Sequence, residues 1–547
     1  MKKLIISNIL TMNDKSPNAE AIIINNNIIE YVGDTSTAKS LIDENTEIID
    51  YSDKYIYPGF IEPHCHEIFA GNRAIGQADL TKILTTDYDE YERIIKQFIK
   101  DHPNNSYYLA AGWNEDERVI DHTYLDNILS DKPLIMNSSG GHSCLLNLKA
   151  MEVFGLNKEY LEKYDKERVH VDSNGNLTGY VCEEAAINLF SYIKPGLVEG
   201  KEAFLAFQEI AIKKGYTACG DAGVELFCKE PNEVYKELNE ENKLKLRTYA
   251  YTIVKDNEQD IDSVISNTLT NQNKYNNEYY KIIGLKVFLD GVAEARTSWT
   301  IDEYDDEKGY HGIQRFNDEN KMVELITKAS KNNLSVHAHS EGDGATHFML
   351  NCIEKSQEET HDFDQRNIIA HLHYVKEEDI EKMGKTHTIA AVPPLWTAKF
   401  PGAYENEVKS FGVKRAESAY PIKSFINKGA TIVYHSDYPI SPILDVTRSL
   451  YKAELRTLPE KEFGGLKTQR GKEECVNRIE SLKALTINSA FALKQENIMG
   501  SLEKGKLANM VVYDSDLLDK DIEKVIKANL LETIIDGITV YKKWLTI

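Results

Sequence analysis

The sequence lacks the features that mark several protein classes. Its seven cysteines are scattered, and no two are spaced as CxxC, which argues against a disulfide framework or a cysteine-based zinc site. No apolar run approaches the 18 or so residues that a membrane span needs. The apolar run Leu4–Ile6 ends at Ser7, before it reaches the length of a signal-peptide core. We therefore expect a cytoplasmic protein with no membrane partner.

Positive charge is also scarce. Lys and Arg total 64 against 87 Asp and Glu, which gives a formal net charge of −23, and no basic cluster interrupts this acidity. Nucleic acids carry dense negative charge, so the composition disfavours a nucleic-acid partner. A small-molecule substrate is the expected partner, and a homodimer is the assembly considered.

Both ends of the chain have the pattern of β-structure. Short runs rich in Ile and Val, separated by Asn and Gly turn signals, occur at Leu4–Thr11, Glu20–Ile24, Ile28–Val32, Glu47–Tyr51, Met510–Tyr513, Leu531–Ile535 and Ile538–Tyr541. The Asp536-Gly537 pair predicts a two-residue hairpin between the last two runs. We expect one composite β-sandwich domain built from residues 1–57 and 495–547.

The residues between these ends, 58–494, alternate predicted strands and helices, a pattern typical of a parallel sheet. The eight predicted strands are Tyr57–His66, Tyr216–Asp221, Leu246–Val254, Ile282–Asp290, Leu334–His339, Asn367–His371, Thr388–Val392 and Thr431–Asp437. Eight such units predict an α/β fold with a (β/α)8 TIM-like barrel. Roughly 150 residues separate the first two strands, far more than one βα connection needs. Residues 70–200 are therefore interpreted as an insertion that caps the barrel mouth.

The strongest functional signal lies at the end of the first barrel strand, in PGFIEPHCH (58–66). His64 and His66 are two positions apart on a strand, so their side chains share a face, about 6–7 Å apart at the backbone. Two imidazoles so placed can bind one divalent ion, and His is the commonest metal ligand. Cys65 points to the opposite face and is interpreted as a core residue.

Residue types that bind metals also occur at the ends of other predicted strands. Strand four carries Lys286, strand five ends at His339, strand six at His371 and strand eight at Asp437. The carboxyl ends of barrel strands meet at one mouth. These nitrogen and oxygen donors suit one or two divalent ions, with zinc expected and iron or manganese as alternatives.

Each assignment has a structural alternative. His337 and His373, close to the two ligand candidates on strands five and six, are interpreted as non-ligands held by packing or by hydrogen bonds. Lys286 is either a buried lysine with a charged partner or a lysine that has reacted with carbon dioxide to give an anionic carbamate, since an unpaired buried charge is costly. Asp437 is either structural or part of the site where strand eight stops.

Three residues are candidate substrate contacts. His142 in the cap, flanked by Gly141 and Ser143, either reaches the substrate or stabilises a turn. Trp113 either lines the pocket or packs inside the cap. Arg296, after strand four, either clamps a substrate carboxylate or anchors its own loop through an ion pair.

The motifs together resemble the amidohydrolase superfamily of metal-dependent hydrolases, and within it the branch that includes N-substituted formamide deformylases (amidohydrolase family 3). The resemblance covers nearly the whole chain and depends on PGFIEPHCH (58–66), GWNED (112–116), GGHSCLLN (140–147), GDAG (220–223), KVFLDGVAEARTS (286–298), HAHSEGDGA (337–345), AHLH (370–373), SDYP (436–439) and GSLEKGKLANMVVYD (500–514). It implies a catalytic barrel, a terminal β-sandwich and a centre of one or two metal ions. Carried over to this sequence, the implied ligands are His64, His66, Lys286 as a carbamate, His339, His371 and Asp437.

The sequence departs from this family's pattern at three places. Glu62 stands where the family often has Asp, and Asn509 stands where the tail usually has Asp. Both changes are expected to leave the chemistry intact. Pro393 stands where the family often has Gln, in the loop after strand seven, and this change bears on the substrate pocket.

The resemblance and the ligand set imply hydrolysis of a carbon–nitrogen bond other than a peptide bond, in a small amide or an N-substituted formamide. Water activated by the metal is the expected nucleophile. Asp437 is expected to take its proton and to deliver it to the leaving nitrogen. Deamination or the opening of a cyclic amide or urea is the first alternative, and a non-catalytic barrel that binds a ligand or regulates is the second.

Overall fold

Three β-sheets organise the computed structural model, which describes residues 2–81, 83, 87–113, 120–138, 143–163, 168–182, 185–186, 200–223, 225, 228, 230–460, 462, 465 and 468–543. In chain order the strands are β1 Lys2–Leu10, β2 Asn18–Asn25, β3 Ile28–Gly33, β4 Glu47–Pro58, β5 Phe60–Cys65, β6 Ala78–Asp79, β7 Tyr108–Trp113, β8 Leu134–Ser138, β9 Ser143–Leu146, β10 Val169–Val171, β11 Leu177–Cys182, β12 Tyr216–Asp221, β13 Arg247–Ile253, β14 Tyr280–Phe288, β15 Ser335–Ser340, β16 Ile368–His371, β17 Ile389–Val392, β18 Ile432–Tyr434, β19 Met510–Tyr513, β20 Leu530–Ile535 and β21 Ile538–Lys542.

Helices fill most connections between these strands. Several begin at an Asp whose carboxylate accepts a backbone N–H of the first turn, as Asp260, Asp318 and Asp445 do. The α-helices are Thr35–Ser40, Glu67–Ile75, Tyr88–Asp101, His122–Ile128, Leu148–Phe154, Lys158–Lys163, Gly200–Ile212, Pro231–Glu240, Ile261–Tyr275, Glu319–Lys331, Asp343–Thr360, Glu377–Lys385, Ala403–Glu417 (interrupted at Gly412), Ile422–Asn427, Val446–Leu455, Arg478–Ala484, Ile487–Ala492 and Ile522–Val525.

The first of two compact units, residues 1–67 with 208–547, contains the predicted barrel. Its eight parallel strands lie side by side in chain order, β5, β12, β13, β14, β15, β16, β17 and β18. The ends of the first and last strands meet, because the His66 backbone N–H donates to the Tyr438 carbonyl over 2.9 Å. The predicted barrel fold is confirmed. Strand eight ends at Tyr434 rather than Asp437. Asp437 itself has a positive φ of 55°, which is not a strand conformation.

The sheet formed by both chain ends belongs to the same unit. Its order is β21-β20-β19-β4-β1-β2-β3, and every neighbouring pair is antiparallel except β1 with β4. Buried Ile, Val and Met side chains from both ends share one core. Asp536 and Gly537 both have positive φ, as a tight hairpin turn requires. The predicted β-sandwich built from both chain ends is confirmed as a sandwich-like sheet, and its bounds 1–57 and 495–547 stay a prediction.

The second unit, residues 68–207, has its own six-stranded mixed sheet, ordered β10-β11-β9-β8-β7-β6. Two hydrophobic clusters pack around it, one of which includes Trp113, Tyr91 and Leu125. The segment 70–200 that the sequence sets apart falls inside this unit, and its role as a cap stays a prediction. Among the described residues, no helix has the length and hydropathy needed to cross a membrane.

Arg456 is a buried anchor of the barrel unit, and its loss is expected to destabilise the fold. The guanidinium donates to the carbonyls of Arg470 (2.8 Å), Tyr420 (3.0 Å) and Ala419 (2.6 Å), and burial lowers its pKa to about 10. Arg456→Met removes a donor from all three carbonyls, of which only that of Tyr420 keeps another donor within the described part of the chain, the Ile422 N–H. The substitution should lower the unfolding free energy by about 3 kcal/mol or more. Urea denaturation measures the change. Arg93→Met, on an exposed helix face, should change it by less than about 0.5 kcal/mol; equal effects would contradict the anchor role.

Candidate metal centre

Three buried donor groups meet where the barrel ring closes. His64 lies on β5, His66 follows the strand, and Asp437 follows β18. The Nε2 atoms of His64 and His66 each lie 3.3 Å from Asp437 Oδ1. The three ligand atoms all lie within 4.8 Å of one another. Residues far apart in the chain therefore converge on one small volume at the barrel mouth.

The spacing and protonation of these groups fit a divalent ion. Ligands about 2.0–2.2 Å from a tetrahedral zinc ion lie about 3.3 Å apart, and each imidazole Nε2 lies at this distance from Asp437 Oδ1. Burial, and then the charge of Lys286, lower the pKa of His64 well below its usual range, so its imidazole is neutral. Burial opposes ionisation of Asp437, but its bond to His66 and the neighbouring imidazoles hold the pKa of this carboxyl below its usual range. Neutral imidazoles and a carboxylate are the forms that bind metals.

His339 and His371 line the same mouth from β15 and β16. Their ring centroids lie 4.5 Å apart, and His371 lies 5.0 Å from the His64 ring. Asp290 orients His339: its Oδ1 lies 3.0 Å from His339 Nδ1, and its Oδ2 accepts the Gly342 N–H over 2.8 Å. This contact leaves His339 Nε2 for another partner, as expected of a metal-binding imidazole.

Lys286 is fully buried in the barrel on β14. Its Nζ has no hydrogen-bond partner within the described part of the chain and lies 5.1 Å from the Phe288 ring centroid. Burial lowers the pKa of Lys286 to about 7, against the opposing pull of the Asp437 charge. Among the described residues Lys286 therefore lacks the charged partner of the first alternative, and a pKa of about 7 leaves a substantial neutral fraction near neutral pH.

The two histidines interpreted as non-ligands have other partners. His337 Nε2 lies 2.8 Å from His64 Nδ1 and so fixes the orientation of the His64 ring. His373 Nε2 lies 3.0 Å from Glu407 Oε1, and its ring stacks between Tyr374 and Tyr420. The structure therefore separates His373 from the donor cluster by pairing it with a carboxylate.

The three predicted substrate contacts fall in different surroundings. Arg296 Nη2 pairs with Asp306 (2.8 Å) and Glu307 (2.9 Å), which matches the loop-anchor alternative. Trp113 is buried in the core of the second unit, which matches the packing alternative. His142 lies outside the described residues. Substrate contact by these three residues stays a prediction.

Sequence reasoning missed several partners of the donor cluster. Asp290 lies in the motif KVFLDG, but the sequence alone assigns it no function. An acidic residue just after a barrel strand could have indicated a residue near the site. Glu62, interpreted only as a departure from the family pattern, accepts hydrogen bonds from Ser436. Glu407 and Trp396 lie in no motif. Their roles follow only from their contacts in the structure, which are those of Glu407 with His373 and of Trp396 with His371.

Comparison with known proteins identifies the family. The profile of the amidohydrolase family matches residues 47–541. The chain belongs to the amidohydrolase family. It is 25% identical to protein LONG AFTER FAR-RED 3 of Arabidopsis thaliana, over 98% of this chain and 91% of that protein. It is 24% identical to the putative amidohydrolase YtcJ of Bacillus subtilis, over 98% of each chain, and 22% identical to the N-substituted formamide deformylase of Arthrobacter pascens, over 99% of this chain and 98% of that enzyme.

Solved structures show the same fold. An uncharacterized metal-dependent hydrolase from Pyrococcus furiosus superposes with a TM-score of 0.74 at 23% identity, over 95% of this chain and all of that chain. The resemblance to the amidohydrolase family inferred from the motifs is confirmed.

Removing a predicted ligand should remove metal from this amidohydrolase. His339→Ala and His371→Ala are each expected to lose most of the bound ion, because each deletes a donor at the mouth. His373→Ala should keep most of it, since His373 bonds Glu407 instead. Elemental analysis of protein purified without chelators, before and after addition of zinc, measures the content. If His373→Ala lost the most metal, the ligand assigned to β16 would be wrong by two residues.

Glu407 should stabilise the fold in a pH-dependent way. Burial raises its pKa, but His373 and Arg470 outweigh burial and lower the pKa of Glu407 to about 2. A carboxyl group whose pKa is lower in the folded than in the unfolded state stabilises the fold at pH values above its unfolded pKa of about 4.3. This contribution is lost as the pH falls towards 2. Glu407→Gln should therefore lower the unfolding free energy by on the order of 3 kcal/mol near pH 7 and by less than half of that near pH 3. Denaturant titrations at both pH values test this.

The matched control for Glu407 is Glu358→Gln, at an exposed position on the helix Asp343–Thr360. Its unfolding free energy should follow that of the wild type at both pH values. If Glu407→Gln lowered the unfolding free energy by the same amount at pH 7 and pH 3, the carboxylate charge would contribute nothing to stability.

Proposed function

We propose that the protein hydrolyses a carbon–nitrogen bond other than a peptide bond, in a small amide such as an N-substituted formamide. The observation that carries this proposal is the convergence of three buried donors, with His64 Nε2 and His66 Nε2 each 3.3 Å from Asp437 Oδ1. Zinc is the proposed ion, with iron or manganese as alternatives. His339 and His371 complete the proposed ligand set from the adjacent strands. The relative named N-substituted formamide deformylase supports this choice of substrate.

Asp437 is the proposed proton carrier of the reaction. A divalent ion at this site supplies Lewis acidity, which polarises a carbonyl and makes a water molecule more acidic. Asp437 is ionised and accepts the proton that the attacking water loses. As the carbon–nitrogen bond breaks, Asp437 returns this proton to the leaving nitrogen, which departs as a neutral amine. His337 holds His64 in place throughout, through the 2.8 Å contact between their rings.

Lys286 is proposed to carry a carbamate. Carbon dioxide reacts with the neutral amine, and a pKa of about 7 leaves much of Lys286 neutral under ordinary conditions. The anionic product would face the metal site with oxygen donors in place of an unpaired nitrogen. We also propose a cytoplasmic location, which is supported by the seven cysteines, all of them free thiols.

Asp437→Asn should abolish most of the turnover and keep the fold. The amide has the same shape as the carboxylate but cannot take a proton, and removal of a general base typically costs about 10²–10⁴ in rate. The kcat/KM for release of amine from a panel of N-substituted formamides, with metal reloaded, measures the loss. Asp53→Asn, on an exposed strand of the terminal sheet, should behave as wild type.

Two results would overturn the proposal. A metal-loaded Asp437→Asn variant within tenfold of wild type would remove the proton-transfer role. A wild-type protein that released ammonia from amino-substituted rings or opened cyclic amides, but released no amine from open-chain amides, would assign the alternative reaction to this centre.

A further inference from the structure

A further histidine, His435, lies beside the donor cluster. It follows β18, and its backbone N–H donates to the Val392 carbonyl over 3.1 Å, so it extends the ladder of the last barrel strand by one residue. The residue is buried, with 2% of its surface exposed. It stands two positions before Asp437, the carboxylate of the proposed centre. The last barrel strand therefore brings an imidazole as well as a carboxylate to the donor cluster.

The rings of His435, His64 and His371 form a nearly equilateral triangle. The ring centroids of His435 and His64 lie 4.8 Å apart, and those of His435 and His371 lie 5.1 Å apart. The third side, between His64 and His371, is 5.0 Å. When the nitrogens of two imidazoles lie about 2.1 Å from one tetrahedral zinc ion, the ring centroids lie about 5 Å apart. His435 thus lies at the spacing of a metal ligand from two of the proposed ligands.

Neither ring nitrogen of His435 makes a hydrogen bond of normal geometry within the described part of the chain. The Ala391 carbonyl lies near the ring and is available to one nitrogen, which leaves the other nitrogen without a partner among the described residues. A buried polar group left unpaired costs about 1–3 kcal/mol. A phenyl ring would fill the same space between the neighbouring rings without this cost. The imidazole is therefore explained best by a partner that binds from outside the chain.

We propose that His435 is an additional nitrogen ligand of the metal centre, beside His64 and His371. It is none of the six ligands that the family resemblance implies. A metal-bound imidazole binds the ion through one nitrogen and directs the other to a carbonyl or a carboxylate, and the Ala391 carbonyl is available for the second contact. An added imidazole favours zinc or iron over manganese, which prefers oxygen donors. The inference rests on the metal centre of the proposed function and not on its substrate.

Metal binding by His435→Phe distinguishes a ligand from a packing residue, because the substitution keeps an aromatic ring and removes both nitrogens. The zinc affinity of the full chain, measured by competition with a chromophoric chelator, should fall at least about tenfold, the smallest effect typical of residues that only orient a ligand. The manganese affinity should fall less. The absorption spectrum of the cobalt(II)-loaded protein should change, since one ligand is lost. Without metal, the variant should unfold at the wild-type temperature or above it, because an unpaired polar group is gone.

The matched control is His361→Asn, which should bind zinc as the wild type does. His361 is an exposed histidine that ends the helix Asp343–Thr360 in the left-handed conformation, which Asn also adopts readily. If His435→Phe unfolds earlier than the wild type without metal, His435→Ala becomes the test variant. Free imidazole, at a concentration that leaves the wild-type cobalt spectrum unchanged, should fill the space and restore that spectrum in His435→Ala.

Four results would each overturn the assignment of His435 as a ligand. They are a zinc affinity of His435→Phe within about tenfold of wild type, equal losses of zinc and manganese affinity, an unchanged cobalt spectrum, and, where His435→Ala is the test variant, no restoration by imidazole. A protein that binds zinc through His435 and hydrolyses no amide would support the ligand and refute the proposed function. A wild type that binds no zinc would refute both.

Discussion

The contact between the first and last barrel strands is the constraint on which the centre depends. Glu62 on β5 accepts hydrogen bonds from the Ser436 backbone N–H (3.0 Å) and hydroxyl (2.7 Å) after β18. Burial raises the pKa of Glu62 to about 8, in spite of these bonds, so the carboxyl is largely protonated near neutral pH and places no unpaired charge in the seam. His64 and His66 on one side, and Asp437 on the other, become neighbours only because this seam closes.

Unusual backbone conformations orient two of the proposed ligand side chains. His371 has a φ of 78°, Leu372 a φ of 53° and Asp437 a φ of 55°. Non-glycine residues rarely adopt positive φ, which costs of order 1–3 kcal/mol each and persists only where the surroundings enforce it. Here the strain falls at the ends of β16 and β18, where two proposed ligands leave their strands. The barrel supplies the stability that keeps these side chains turned towards the mouth.

The sequence predicts the scaffold better than the contacts within it. Alternation of strand and helix patterns is local, so all eight barrel strands and the composite terminal sheet could be predicted, as could the residues at strand ends. The partners could not, because the pairing of Glu62 with Ser436, or of His373 with Glu407, depends on registers set by distant segments. Positive φ at His371 has no local signal either, since no glycine marks it. Trp113 and Arg296 show the same limit of sequence-based prediction. Their residue types suit a substrate pocket, but whether they line one depends on neighbours from other parts of the chain.

The charge of the buried cluster links the metal, the lysine and the substrate. Asp437 is the ionised group among the proposed ligands, and the pKa values of His64 and His371 are lowered by burial, so these imidazoles carry no charge. One divalent ion against Asp437 leaves the centre with a net positive charge. The negative charge of a carbamate on Lys286 would cancel this positive charge and make the centre neutral. A second divalent ion would make the net charge of the centre positive again. A neutral centre would impose no electrostatic penalty on the entry of an uncharged amide.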